Sequence, residues 1–162
     1  MAKKNNIHKT NAIRIVQAKK IPFEVYEYEA PDGFLDGVSV AKATGQNPDQ
    51  VFKTLVLQGA SRENYVCVIP VASELNLKKA AKHFGEKKIE MIPHKDITKV
   101  TGYIKGGCSP IGMKKQFTTA IHQSASDFET IIFSAGKVGL QMELPVTALL
   151  EVAQAQLADL TD

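Results

Sequence analysis

Hydrophobic residues recur along this chain with two different periods, which separate predicted helices from predicted strands. A spacing of three and four residues predicts helices over residues 10–18 and 77–84. A further short helix is predicted to start at Ser39 and stop at Gly45. The same spacing predicts a closing helix over residues 146–160. That helix would direct four apolar side chains toward the core, namely Leu149, Leu150, Ala153 and Leu157.

Shorter apolar runs, bounded by residues that favour turns, predict strands. Such segments occur over residues 23–29, 54–58, 65–71, 89–92, 117–122, 130–134 and 140–144. The two segments 54–58 and 65–71 are joined by a short turn, and the second is nearly all apolar, so we expect this hairpin at the centre of a sheet. The pattern predicts a mixed α/β fold, dominated by antiparallel strands, in one domain spanning residues 1–162.

Composition indicates the size of the core and the cellular compartment of the protein. The chain has 162 residues, of which 44% are hydrophobic and 23% charged, so it can bury one core of ordinary size. No apolar run approaches the ~20 residues that span a bilayer, and the basic start lacks the apolar stretch of a signal peptide. Two cysteines, Cys67 and Cys108, are too few for a disulfide framework. We therefore expect a cytoplasmic protein without a membrane segment.

Charge is distributed unevenly along the chain. Residues 1–120 hold 19 Lys and Arg against 11 Asp and Glu, a net charge of +8, whereas residues 121–162 hold 1 against 6, a net charge of −5. The excess is nearly all lysine, which binds phosphates as a point charge without distinguishing bases. Two interpretations stay open: an ordinary solvated surface, or a surface that binds the backbone of a nucleic acid.

Familiar catalytic and cofactor motifs do not occur in the sequence. The four histidines form no HxxxH or HxxH pair and the cysteines form no CxxC, so we expect no metal site and no haem. Patterns for nucleotide binding and for a serine nucleophile elbow do not occur either, so we expect no cofactor. Cys67 lies in an apolar strand and is expected in the core. Cys108 lies in a glycine-rich loop, where a small residue in a tight turn is a better interpretation than a nucleophile.

Two features could carry chemistry. Lys53 immediately precedes the predicted strand 54–58, where its side chain either reaches water or borders a pocket at the end of the sheet. Residues 106–112 form the densest cluster of backbone breakers in the chain. Their N–H groups either converge on an anion or oxyanion, or belong to a bulge and a tight turn. A lysine facing such a loop would suit a carboxyl group, an ester carbonyl or a phosphate.

Several segments together resemble the YbaK/EbsC family, in the same order along the chain. These segments are residues 47–55, 77–82, 101–103, 106–112 and 134–140. The family comprises free-standing bacterial relatives of the editing domain of prolyl-tRNA synthetase. The resemblance implies a partly closed barrel of mixed strands surrounded by helices. It also implies an activity, the removal of cysteine wrongly attached to proline tRNA, with Cys-tRNA(Pro) as substrate and prolyl-tRNA synthetase as a further partner.

The resemblance also implies roles for individual residues. Lys53 would hold the terminal ribose–phosphate region or the ester, and the backbone N–H of the turn at Gly106 and Gly107 would polarise the ester carbonyl. The substrate's own thiol would attack the ester and release a cyclic thiolactone. The substrate pocket would include Tyr28, Phe34, Thr54, Ser109, Pro110 and Ser134. Separately, the outward-facing lysines of residues 77–84 are the predicted tRNA contacts, namely Lys78, Lys79 and Lys82.

Two positions depart from the family pattern. Gln141 stands where an acidic residue is expected, so it receives no role, and Cys108 stands where an aliphatic residue is common, so participation of its thiol stays open. Three other functions also stay open. They are editing of another small amino acid such as alanine, a non-catalytic module that binds tRNA or a synthetase, and a phosphate-ester enzyme. The lack of clustered acids for magnesium disfavours the last.

Overall fold

The computed structural model describes residues 9–29 and 36–162. The α-helices within these ranges are α1 Asn11–Ala18, α2 Gly37–Thr44, α3 Leu77–Phe84, α4 Ile97–Thr101 and α5 Val146–Val152. The strands are β1 Glu24–Glu27, β2 Phe52–Gly59, β3 Asn64–Pro70, β4 Ile89–Met91, β5 Thr118–His122, β6 Thr130–Lys137, β7 Leu140–Pro145 and β8 Ala155–Ala158. Short 3-10 helices lie at His94–Asp96 and Gln123–Asp127. None of the helices in these ranges has the length and apolar character needed to cross a membrane.

The strands form two sheets. A three-stranded sheet has the order β1-β7-β6 and is antiparallel throughout. A five-stranded sheet has the order β4-β2-β3-β5-β8, in which the pairs β3–β5 and β5–β8 are parallel and the others antiparallel. The predicted mixed α/β fold with mainly antiparallel pairing is therefore confirmed. The central position of the β2–β3 hairpin is confirmed as well.

The two sheets meet at a short joint that precedes β2. Val51 forms an isolated parallel bridge with Ile132, and the Ile132 N–H donates to the Gln50 carbonyl at 3.0 Å. Side chains from both sheets, including Phe52 and Phe133, share one buried core cluster. Neither sheet closes into a barrel within the described chain, so the expected partly closed barrel is wrong. A core shared between two open sheets buries the same apolar faces that a barrel would enclose.

Helix ends follow the capping chemistry of the sequence. The Thr10 hydroxyl accepts from the Ile13 N–H at 3.2 Å and starts α1, which buries one apolar face as predicted. α2 starts at Gly37, two residues before the predicted Ser39, because the Asp36 carboxylate accepts from the Ser39 N–H at 2.9 Å. It ends where predicted, at Gly45, whose φ of 73° is readily adopted by glycine.

The predicted closing helix over 146–160 is wrong in its second half. α5 ends at Val152, and Gln154 has a φ of 51°, in the left-handed region that a right-handed helix cannot continue through. The chain then enters β8, where Leu157 pairs with Ile121 of β5. Leu157, which the helical pattern placed inward, is 38% exposed, whereas Leu160 is fully buried against the α3 side of the sheet. Apolar spacing over so short a segment does not distinguish a strand from a helix.

Leucine truncation at two positions tests the strand assignment. Leu160→Ala should lower the free energy of unfolding by about 2–5 kcal/mol, because it opens a cavity in a closed core. Leu157→Ala should cost under about 1 kcal/mol, since its side chain is partly in water. Urea denaturation of both variants measures the difference. Equal losses would contradict the strand and favour the helical arrangement.

Candidate active site

A cavity of about 190 Å³ lies where residues of both sheets approach the glycine loop. It brings together five of the residues predicted for the site: Tyr28, Lys53, Thr54, Gly106 and Ser134. The other lining residues come from α2, the joint, β2, β6, β7 and the loop, and are Asp36, Gly37, Val40, Val51, Phe52, Cys108, Phe133 and Gln141. Segments far apart in sequence therefore converge on one small cavity.

Pairing of β2 with β3 fixes the positions of Lys53 and Thr54 at the start of β2. Lys53 pairs with Ile69 and Thr54 with Val68 of the neighbouring strand β3. The Thr54 hydroxyl oxygen is shielded from solvent and has no hydrogen-bond partner among the described residues. Buried polar atoms are nearly always hydrogen-bonded, so this unpaired hydroxyl is unusual among the residues that line the cavity.

The two glycines of the predicted turn differ in what they contribute. Gly106 lines the cavity and has a φ of 84°, which a side chain would strain. The Gly107 N–H donates to the Ile104 carbonyl at 3.0 Å, so it is already used within the turn. A Cβ on Gly107 would lie 2.8 Å from the Val138 backbone nitrogen, so only glycine lets the loop approach the β6–β7 turn so closely. Of the two glycines, only Gly106 keeps the predicted role of polarising the substrate's carbonyl, because the Gly107 N–H already has a partner.

One wall of the cavity carries the uncharged residue Gln141, at the position where the family pattern has an acidic residue. Gln141 of β7 is only 4% exposed and pairs with Ser134 across the β6–β7 ladder. The Gln141 side-chain oxygen accepts from the Gln46 amide at 2.9 Å. The Ser134 hydroxyl accepts from the Gly136 N–H at 3.1 Å and so stabilises the bulge at the end of β6. Gln141, held by this bond to Gln46, lines this side of the cavity without adding a negative charge.

Burial controls the chemistry of the thiol in the cavity. It raises the pKa of Cys108 to about 11, although a hydrogen bond with Thr101 acts in the opposite direction. The thiol is therefore protonated near neutral pH, and a protonated thiol is a weak nucleophile. Cys67 lies in the core as predicted, and burial raises its pKa to about 12.

Some predicted pocket residues lie elsewhere. Ser109 and Pro110 are buried residues of the glycine-rich loop 106–112 and are not among the residues that line the cavity. The Ser109 hydroxyl accepts from the Ile111 N–H at 3.3 Å, which is a contact within the loop itself. Phe34 lies outside the described residues.

The α3 lysines are separated from the cavity. α3 packs against the second core cluster, and none of its residues lines the cavity. Lys78 and Lys82 are exposed, as predicted. The Lys79 ammonium forms a 2.9 Å ion pair with Asp159 and donates to the Thr161 carbonyl at 2.6 Å, so it stabilises the chain after β8. Contact of these lysines with tRNA stays a prediction.

Sequence reasoning missed most of the cavity's apolar wall. The apolar character of three residues, Val51, Phe52 and Phe133, indicates only that they are buried. Their position beside a cavity depends on the approach of the two sheets, which the sequence does not show. Asp36 could have been identified from the sequence, because an acid three residues before Ser39 is a helix-cap pattern. Within residues 9–29 and 36–162, no group of three or more His, Cys, Asp or Glu side chains could hold a metal ion.

Comparison with known proteins gives the family. The sequence profile of the aminoacyl-tRNA editing domain matches residues 36–152. The chain belongs to this family. It is 47% identical over 161 residues, 99% of this chain and 98% of the relative, to a protein of Enterococcus faecalis (strain ATCC 700802 / V583) provisionally named Cys-tRNA(Pro)/Cys-tRNA(Cys) deacylase EbsC.

Solved structures share the fold of this editing-domain protein. One is a crystal structure provisionally described as a trans-editing enzyme for prolyl-tRNA synthetase, with a TM-score of 0.80 and 22% identity over 96% of this chain and 99% of that one. Another, a hypothetical protein, has a TM-score of 0.85 and 17% identity over 94% of this chain and all of that one. At these identities the likeness shows the fold alone.

Alkylation tests the protonation state assigned to Cys108. The rate of reaction with iodoacetamide should stay low at neutral pH and rise toward a pKa of about 11, because burial disfavours the thiolate. Mass spectrometry of the modified peptide across that pH range measures the rate, with Cys108→Ser as the unreactive control. Half-maximal reactivity near the ordinary thiol pKa of about 8.5 would contradict the assignment.

Proposed function

We propose that this editing-domain protein is a deacylase that removes cysteine from mischarged proline tRNA, acting in trans. One observation supports it most: a single cavity unites Lys53, Thr54 and Gly106, while the only thiol on its wall, that of Cys108, is kept protonated. Such a cavity can bind and polarise an aminoacyl ester but offers no activated cysteine of its own. The name of the Enterococcus faecalis relative points to the same substrate.

The size of the cavity favours a small aminoacyl group. A volume of about 190 Å³ leaves room for the side chain of cysteine or alanine and for the ester, whereas a bulky side chain would clash with Phe52 and Phe133. The uncharged Gln141 on the cavity wall, hydrogen-bonded to Gln46, suits a neutral side chain such as a thiol. The relative's name also includes Cys-tRNA(Cys). Deacylation assays should therefore compare three substrates: Cys-tRNA(Cys), Cys-tRNA(Pro) and Ala-tRNA(Pro).

The substrate's own thiol supplies the nucleophile in this proposal. Its sulfur attacks the ester carbonyl, a C–S bond forms, and the bond from the carbonyl carbon to the ribose oxygen breaks. The thiol proton passes to that ribose oxygen, which leaves a cyclic thiolactone and free tRNA. The reacting atoms belong to one small group, so correct positioning alone can lower the barrier by several kcal/mol.

The residues of the cavity would orient this reaction. The Lys53 ammonium would bind the terminal phosphate or the ester oxygen through its charge. The Gly106 N–H would donate to the carbonyl oxygen as negative charge develops there, a contact that can contribute ~3 kcal/mol. The Thr54 hydroxyl, which has no partner among the described residues, would gain one from the substrate.

The proposal extends to the protein's surroundings. Its substrate is released by an aminoacyl-tRNA synthetase and used in translation, so the enzyme would act in the cytoplasm. An association with prolyl-tRNA synthetase would let it intercept Cys-tRNA(Pro) before release. Co-purification of the two proteins, with and without tRNA, tests that association.

Removal of the Lys53 ammonium should impair deacylation. Lys53→Ala should lower kcat/KM for Cys-tRNA(Pro) at least about tenfold, or about 1.4 kcal/mol, because a charge contact to the substrate is lost. The matched control is Lys88→Ala, since Lys88 is also a lysine of the five-stranded-sheet region but pairs with Glu90 at 3.0 Å, away from the cavity. Circular dichroism verifies folding. A folded Lys53→Ala variant with full activity would remove Lys53 from the site.

Replacing the substrate's sulfur with oxygen tests the mechanism. Single-turnover cleavage should be much faster for Cys-tRNA(Pro) than for Ser-tRNA(Pro), because a hydroxyl forms almost no anion near neutral pH while a thiol, with a pKa near 8.5, forms some. The rate should rise with pH toward that value, persist in chelator and survive Cys108→Ser. Mass spectrometry identifies the product. Comparable rates for serine and cysteine, or loss in chelator, would replace this mechanism by hydrolysis with an activated water.

A further inference from the structure

A group of exposed lysines surrounds the glycine turn at the cavity. We name it the basic rim; its members are Lys95, Lys99, Lys105, Lys114 and Lys137. Between residues 94 and 115 the chain carries five lysines against one acid, Asp96. No ion pair between described residues involves Lys95, Lys99, Lys114 or Lys137, whereas Lys79 of α3 is paired with Asp159. This surface therefore combines a high lysine density with four lysines that form no ion pair with another described residue.

Backbone contacts connect the rim to the cavity. Lys105 directly precedes Gly106, which lines the cavity. Lys137 lies on the other side of the turn, where a Cβ on Gly107 would be 3.0 Å from the Lys137 carbonyl carbon. Lys105 and Lys137 therefore both lie next to the glycine turn that borders the cavity.

Contacts among its members make the rim continuous. The Lys114 N–H donates to the Thr101 carbonyl at 2.9 Å, and its ammonium donates to the Lys99 carbonyl at 3.2 Å. The Lys105 ammonium lies 3.1 Å from the His94 ring nitrogen Nδ1, next to Lys95 in sequence. These contacts connect Lys99 of α4 with Lys114, and Lys105 with the 3-10 helix that holds Lys95.

We propose that the basic rim binds the phosphates of the tRNA acceptor end, in an inference that rests on the proposed function. An ester held beside Lys53 and Gly106 fixes where the last nucleotide lies, so the nucleotides before it must leave across the surface around Gly106. Lysines on that surface neutralise phosphates without reading bases. Recognition of the acceptor end by the rim would therefore be independent of sequence.

Two charge reversals of matched geometry test this surface. Lys95→Glu/Lys99→Glu changes two exposed lysines four residues apart on the rim. Lys78→Glu/Lys82→Glu changes two exposed lysines, also four apart, on α3, which does not line the cavity. Both variants alter the net charge equally, so a difference between them reports position rather than total charge. Thermal unfolding verifies that both fold, and Lys137→Glu is a second rim variant in case the pair does not.

The readouts separate binding from chemistry. Affinity for uncharged tRNA(Pro) is measured between 50 and 200 mM salt, and deacylation is measured for Cys-tRNA(Pro) and for cysteinyl-adenosine. The rim variant should bind about tenfold more weakly at low salt and lose about two units of the slope of log affinity against log salt. It should still cleave cysteinyl-adenosine at the wild-type rate. The α3 lysines are the rival contact surface predicted from the sequence. If the rim and not α3 binds the tRNA, the α3 variant should stay within about twofold of wild type in affinity, since only the overall charge changes.

Each outcome bears on one proposal. A rim variant that binds tRNA as tightly as wild type, or an α3 variant that loses as much affinity, would overturn the rim as the contact surface. If the wild-type protein cleaves neither cysteinyl substrate, the proposed function fails instead, and the comparison of affinities still decides whether the rim binds tRNA.

Discussion

The joint at residues 50–51 is the constraint on which the rest of the site depends. Its backbone serves both sheets at once: the Gln50 carbonyl accepts from Ile132, and the Val51 carbonyl accepts from the Val71 N–H at 2.9 Å. Because β2 begins immediately afterwards, these bonds fix where Lys53 and Thr54 emerge relative to Ser134 of the other sheet. The cavity is thus a product of how two sheets are joined, and not of any one segment.

Within that cavity, the charged side chains among the described lining residues are Lys53 and Asp36, and the exposed Asp36 carboxylate accepts from the Ser39 N–H. Burial keeps the Cys108 thiol neutral, and Gln141, hydrogen-bonded to Gln46, keeps one wall neutral. In such surroundings a single cation such as Lys53 and a single backbone N–H exert larger effects than they would in water. Catalysis by positioning fits this arrangement, because it needs no acid–base pair from the protein.

The predictability of the fold depended on how local the signal was. Neighbouring residues determine the cap at Thr10, the apolar face of α1 and the end of α2 at Gly45. The structure has all three as predicted. Leu157 was misplaced because its apolar spacing fits a helix, while the pairing with Ile121 that makes it a strand residue lies far away in sequence. Phe133 lines the cavity for a similarly non-local reason. The grouping of Lys53 with Gly106 came from resemblance, since spacing alone left both features open.

The convergence of the two sheets has a consequence for how the protein folds. Non-local contacts form slowly, because the loops that connect them must close first. The β6–β7 hairpin can form from adjacent residues, but the Val51–Ile132 bridge spans roughly half of the chain. A folding intermediate with each hairpin formed and the bridge absent would have near-native secondary structure and no cavity. Recovery of catalytic activity would then lag behind recovery of the circular dichroism signal, so refolding kinetics would report sheet docking as a separate step.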